Sequence, residues 1–276
     1  PDGTGPVGIV AQSGIGCVIS AYRGEDLRAV SRESLVRCLF AHQQVIERVT
    51  QEHTVLPVKF GTTLDSPEDV RALLAQARHD LGMALDLMRD KVEVEVAATW
   101  DLKRVLQEVA HEEEVARARE AITASGSPSL DDKVRLGQVV KACLDRRRDA
   151  CRERMLKVLQ PLAVDVAPNA LVAEEMVMNV AFLVERARQQ EFDERVRALD
   201  SLFDNQVTFR VIGPLPPYSF STVEVTRLSE EQVEQARQEL ELPSVFMEAE
   251  VRRAYRRLAA HEQRKAPPGA RPHAGR

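Results

Sequence analysis

The spacing of apolar and polar positions changes several times along the chain. Val7, Ile9 and Val10 precede the turn-prone run Gln12-Ser13-Gly14-Ile15-Gly16, and Val18 and Ile19 follow it. That pattern predicts a hairpin, with glycine supplying positive φ at little cost. From Ser31 the period becomes helical. Ser31 is a good N-cap, Glu33 meets the positive dipole end, and Leu35, Val36, Leu39, Phe40, Ile46 and Val49 make an apolar stripe. Residues 54–64 have strand composition, with Pro57 marking an edge or bulge because it cannot donate a ladder hydrogen bond. Ser66-Pro67-Glu68-Asp69 then starts another helix. Its buried face is expected at Val70, Leu73, Leu74, Ala77, Leu81, Leu85 and Met88.

A second unit opens at Lys91. Val92, Val94 and Val96 alternate with Glu93 and Glu95, which predicts a strand with one wet face. Residues 101–122 read as one highly charged helix, broken by Ser125-Gly126-Ser127-Pro128. Ser129-Leu130-Asp131-Asp132 caps a long helix that runs to about Gln160 and stops at Pro161. Short strands are expected at 164–166 and 176–184, a helix at 189–203 and a last strand at 207–212. The order is strand, helices, strand, strand, helix, strand. It is the βαββαβ order of a ferredoxin-like sandwich with an elaborated helical crossover. The expected fold class is therefore α+β, with two α/β domains at 1–90 and 91–225. Residues 213–220 leave the last strand with Pro214, Pro216 and Pro217 and are expected to be extended and stiff. A helical tail is expected at 226–264, and 265–276 reads as a disordered end.

Composition narrows the function classes. Of 276 residues, 44% are hydrophobic, enough for a buried core, and the net charge of -5 gives no bulk drive toward nucleic acid or anionic lipid. None of the cysteines forms a C-x-x-C pair that would frame a zinc site. Cys143 and Cys151 fall on one predicted helix about 12 Å apart at 1.5 Å rise per residue, which excludes a disulfide between them. Reduced thiols fit a cytoplasmic protein. No apolar run approaches the roughly 20 residues that span a bilayer, and residues 1–6 lack the pattern of a signal peptide.

Candidate chemistry is sparse. Gly14-Ile15-Gly16 lacks the third glycine and the following helix of a phosphate loop, so a hairpin turn is the better reading. His42 lies on an apolar stripe with no second ligand or nucleophile placed by spacing, and reads as a packed histidine bonded to backbone. His111-Glu112-Glu113-Glu114 lacks the second histidine of a zinc-protease helix, since residue 115 is valine. Arg147 sits between Cys143 and Cys151 on one stripe, where its stem packs and its head meets a carboxylate. The tail is basic through Arg252, Arg253, Arg256 and Arg257, but few aromatic residues interleave with the charges as nucleic-acid binding would need. No catalytic, cofactor-binding or metal-binding residue is expected.

Several stretches together resemble one family. They are residues 42–61, the strand ending in Thr99-Trp100-Asp101, Leu136-Gly137-Gln138 with Asp145-Arg146-Arg147-Arg148, residues 178–184, and residues 207–220. In this order, over roughly residues 18–223, they resemble the GvpL/GvpF family of gas vesicle proteins. The resemblance implies an accessory or minor structural protein of gas vesicle assembly. Its partners would be the small apolar shell subunit and other gas vesicle accessory proteins, with no nucleic acid or membrane. Family members begin with an aromatic-rich strand ending in glycine. This sequence starts later, at Pro1, so that strand is missing or lies upstream, and its absence would leave the first sheet an unpaired edge. The tail, through residues 235–243 and 248–261, resembles the first two helices of a J domain. Where a J domain has His-Pro-Asp the chain has His261-Glu262-Gln263, which argues against stimulation of a chaperone ATPase. A co-chaperone-like adaptor acting through this tail is the alternative function. The candidate partner interface combines extended backbone with aromatic groups: Pro57, Lys59, Phe60 and Gly61, with Pro214, Pro216, Pro217, Tyr218 and Phe220.

Overall fold

The computed structural model describes residues 6–22, 30–124, 129–203, 206–226 and 230–265. They fall into two compact units, Pro1–Glu224 and Val225–Arg276.

The first unit opens with a hairpin of β1 (Val7–Gln12) and β2 (Ile15–Ser20). Its turn residues Ser13 and Gly14 have φ of 55° and 84°, the mirror-image turn that matches strand twist. Val10, Cys17 and Ile19 point inward. Val7, Ile9 and Val18 line the outward face and are exposed, Ile9 at 74%. Helix α1 (Arg32–Thr50) starts where Ser31 Oγ accepts from the Ser34 N–H at 3.2 Å. The helix docks through its C-terminal half, where Ile46 and Thr50 are buried, so Val36, Leu39 and Phe40 of the expected stripe lie exposed.

No strand forms at 54–64. A single parallel bridge joins Val58 to Val223. Pro57 has no N–H to offer, and a turn follows at once, with Gly61 at φ 87° and the Thr62 N–H bonded to Lys59 O. The helix expected from residue 67 to 88 is two, α2 (Pro67–Gln76) and α3 (Arg78–Met88), parted at Ala77 with φ -90° and ψ 11°. Ser66 caps α2, and Val70 and Leu74 pack under the hairpin.

The larger core belongs to a four-stranded antiparallel sheet. The elements are β3 (Lys91–Trp100), α4 (Leu102–Val109), α5 (Glu113–Ala124), α6 (Leu130–Leu159), β4 (Asp165–Pro168), β5 (Met176–Glu185), α7 (Gln189–Leu202) and β6 (Val207–Leu215). The strand order is β4-β5-β3-β6. In register, Val94 faces Phe182, Val96 faces Val180 and Ala98 faces Met178. This face packs on Met155 and Leu159 of α6 and on Phe192, Val196 and Leu199 of α7. Phe182 and Phe192 meet at 5.2 Å between centroids.

The charged helix expected over 101–122 is also two. Val109 and Val115, one on each side of the break, both pack with the buried Cys143 of α6. Ion pairs close the same contact: Arg147 to Glu108 at 2.6 Å and Arg146 to Glu114 at 2.8 Å. The expected break at 125–128 lies outside the described residues, while Ser129 and Asp132 form a reciprocal capping box at the start of α6. The face of β3 expected to be wet is only partly so, with Lys91, Glu95 and Thr99 half-buried. Glu93 is 0% exposed and Ala97 is 6% exposed.

The second unit holds α8 (Glu230–Glu239) and α9 (Glu248–Lys265). Leu242 and Ala254 are buried between them, and Arg257 pairs with Glu241 at 2.8 Å. The side chains of His261, Glu262 and Gln263, and the expected disordered end beyond residue 265, lie outside the described residues.

Phe182→Ala is expected to cost about 3–5 kcal/mol in urea denaturation, because it opens a cavity at the centre of the sheet. Ile9→Ser is expected to stay within about 0.5 kcal/mol, because its side chain already faces solvent.

Candidate functional site

The two stretches singled out for partner contact, 57–61 and 213–220, are held together through residues just beyond the second. The Val223 N–H donates to Pro57 O at 2.7 Å, and the Lys59 N–H donates to Val223 O at 2.9 Å. Lys59 Nζ also pairs with Glu224 at 2.5 Å, but both side chains are largely exposed and such pairs contribute little. On the other side, His42 Nε2 lies 3.0 Å from Val58 O, and its ring meets Phe60 edge-on at 5.5 Å between centroids. His42 is thus a packed histidine bonded to backbone.

The strap of residues 213–224 crosses back over β3. It starts at Gly213, with φ 155°, where an added Cβ would lie 3.0 Å from Glu93 O and 3.3 Å from Val94 Cα. Only glycine tolerates that approach without a shift. The strap is extended through Leu215 and then turns, contrary to the uniformly extended form that its prolines suggest. The Tyr218 N–H bonds to Pro216 O at 2.7 Å, and the Ser221 N–H to Pro217 O at 2.9 Å. The turn aims Ser219 at Glu93. The Ser219 N–H and Oγ each donate to one oxygen of the carboxylate, both at 2.7 Å.

This contact explains why Glu93 is buried. Burial pushes its carboxyl above the usual range, the two Ser219 bonds pull it back, and Glu95 adds repulsion; the net shift is upward. Tyr218 is pushed up to about 12, by burial first and then by Glu47 and Glu93. Its hydroxyl is buried without a hydrogen-bond partner. A cleft of about 240 Å³ lies beside the strap, lined by Thr50, His53, Met88, Asp90, Arg186 and Pro217, among others. Arg186 closes one wall by donating to Thr50 O at 2.7 Å.

The candidate residues therefore divide. Pro57, Pro216 and Pro217 are buried and hold the arrangement. Phe60, Tyr218 and Phe220 are half-buried, while Lys59, Gly61 and Pro214 are exposed. Sequence reasoning missed Glu93, Ser219 and Val223. The alternation of β3 assigns Glu93 to solvent, and nothing local to residue 219 names its partner 126 positions away. The arrangement has an exposed backbone turn at Gly61 and half-buried aromatic side chains at Phe60, Tyr218 and Phe220.

Ser219→Ala is expected to cost about 1.5–3 kcal/mol in denaturant unfolding, because it strips one bond from a buried carboxylate. Tyr218→Phe is expected to be neutral or to stabilise by up to about 1 kcal/mol in the same assay, because it removes a buried donor without a partner.

Comparison with known proteins gives this geometry a context. The family model described as "Gas vesicle synthesis protein GvpL/GvpF" matches residues 2–222. Gas vesicle protein F of Streptomyces sp. (strain CB03234) is 34% identical over 218 residues, which cover 78% of this chain and 87% of that protein. Gas vesicle protein L2 of Halobacterium salinarum is 27% identical over 235 residues, covering 78% and 81%. The crystal structure of GvpF from Anabaena sp. PCC7120 shares the fold with a TM-score of 0.70 at 23% identity, over 81% of this chain and 93% of that one. GvpF from Microcystis aeruginosa shares it with a TM-score of 0.66 at 24% identity, over 79% and 90%. The match runs from the hairpin through the strap, and the chain belongs to the GvpL/GvpF family of gas vesicle synthesis proteins.

Proposed function

We propose that this chain is a non-catalytic accessory or minor structural protein of gas vesicle assembly, cytoplasmic or vesicle-associated, that binds the apolar shell subunit and other accessory proteins. Membership of the family supports the gas vesicle role. The observation that supports the binding surface is the meeting of 57–59 with Val223, which ties the segment carrying Lys59, Phe60 and Gly61 to the strap that carries Pro214, Tyr218 and Phe220. The mechanism is shielding. A subunit apolar enough to face gas aggregates before assembly, and a folded partner over its apolar face or strand edge suppresses that.

The same reading takes the sheet order β4-β5-β3-β6 as a ferredoxin-like sandwich whose crossover is elaborated by α4 and α5. It keeps 1–90 and 91–225 as two α/β domains joined through the bridge and through Arg186. No described helix is long and apolar enough to cross a membrane.

Co-expression with a tagged shell subunit, followed by pull-down, tests the binding. The full chain and a chain ending at Val225 are both expected to be captured. Capture of the full chain alone would move the contact to α8 and α9 and favour the adaptor reading. Capture of neither would reject direct binding. Shielding has its own test in light scattering, where an equimolar amount of the protein is expected to slow aggregation of the shell subunit; unchanged aggregation would reject it.

A further inference from the structure

We propose that the strap of residues 213–224 is a displaceable cover over β3, held shut by Glu93 and Ser219 and loosened when Glu93 ionises.

Strands β5 and β6 flank Glu93 with apolar side chains. Its cross-strand partners are Leu183 on β5 and Leu215 on β6. Along its own strand, Lys91 lies on the same face but donates to Arg89 O, and Glu95 is a second acid. From the strap come Ser219 and Tyr218, and from α1 comes Glu47, whose charge reaches Tyr218. Lys59, the cation bonded to the strap's far end, is paired with Glu224. Arg210 of β6 stands opposite Ala97, two register positions beyond Glu95. No described cation is bonded to Glu93. Its two oxygens rest on the N–H and hydroxyl of one serine, at 0% exposure. Ionising a carboxyl there costs more than ionising it in water, because two hydrogen bonds replace a full hydration shell and no countercharge is bonded to it.

Closure carries a second cost. The Tyr218 hydroxyl is buried with no partner and would regain water if the strap lifted. Against these costs stand the buried Pro216 and Pro217, the Val223 bridge to Pro57 and Lys59, and an exposed ion pair. The strap thus closes with a smaller margin than the sheet beneath it. Lifting it frees the backbone edge of residues 57–59 and a carboxylate that accepts N–H and O–H donors. Those are the groups that an extended segment of another chain satisfies.

The direction with pH follows from the raised Glu93 carboxyl. Closure is fully stabilised below the ordinary carboxylate pKa, where Glu93 is protonated in both open and closed forms. It weakens as pH rises through the raised value, because only the closed form resists ionisation.

Hydrogen exchange by mass spectrometry on the full chain reads this directly. Peptides covering 54–61 and 213–224 are compared with a β5 peptide between about pH 4 and pH 7, after correction for intrinsic exchange. The expected result is a loss of protection in both strap-side peptides as pH rises, with β5 unchanged. Glu93→Gln keeps an acceptor for the Ser219 N–H and removes the charge, so its strap is expected to stay protected across the range. A wild-type strap whose protection tracks β5 at every pH would overturn the proposal. So would a Glu93→Gln chain that loses protection with the wild-type pH dependence. Neither readout depends on capture of the shell subunit.

Discussion

Strand β3 is buried on one face and partly covered on the other, and that constraint organises the first unit. One face packs Val92, Val94, Val96 and Ala98 onto α6 and α7. The other would be wet in a two-layer protein, yet here Glu93 and Ala97 are buried on it. An acidic side chain on a covered face requires donors, because an ionised carboxylate without them does not remain in a protein interior. Ser219 supplies both. The strap must therefore turn after Leu215, and it reaches the 57–59 segment at Val223. The central strand, the last strand and the segment after α1 are linked through one carboxylate and one bridge.

The α4–α5–α6 side is built differently. There the hydrophobic contact is small, with Val109, Val115 and Cys143 at its centre, and arginines of α6 flank it. Arg147 reaches Glu108 and Arg146 reaches Glu114 across the helices. Arg148 turns the other way, donating to the backbone at Glu174 and Met176 and stacking 5.7 Å from Trp100. Three consecutive arginines thus serve three different contacts.

Much of this was legible from local chemistry. Caps at Ser31, Ser66 and Ser129 mark their helices because a hydroxyl finds the third N–H beyond it wherever the rest of the chain lies. The alternation of β3 identified a strand, and the packed role of His42 followed from the lack of any companion group. What failed was long-range or cooperative. Residues 54–64 have strand residues but, among the described residues, pair only at the Val58–Val223 bridge, so composition alone predicted too much. The helix breaks at Ala77 and after Val109 lie inside continuous periodic patterns. The break after Val109 serves packing, with Val109 and Val115 meeting the same patch of α6, and nothing in the structure explains the one at Ala77. Of the candidate interface residues, Pro57, Pro216 and Pro217 are buried, which their extended-backbone signature does not reveal, while Lys59, Gly61 and Pro214 are exposed.

Gly213 fixes how the strap can vary. Its missing side chain leaves room for the carbonyl of Glu93, so the tight path between β6 and the turn at Ser219 is a steric filter on mutation. Single-base changes in the first two positions of a glycine codon give residues that carry a Cβ, and each would push against the central strand's backbone rather than a yielding side chain. At position 213 the accessible alternatives therefore reduce to glycine or a shifted strand.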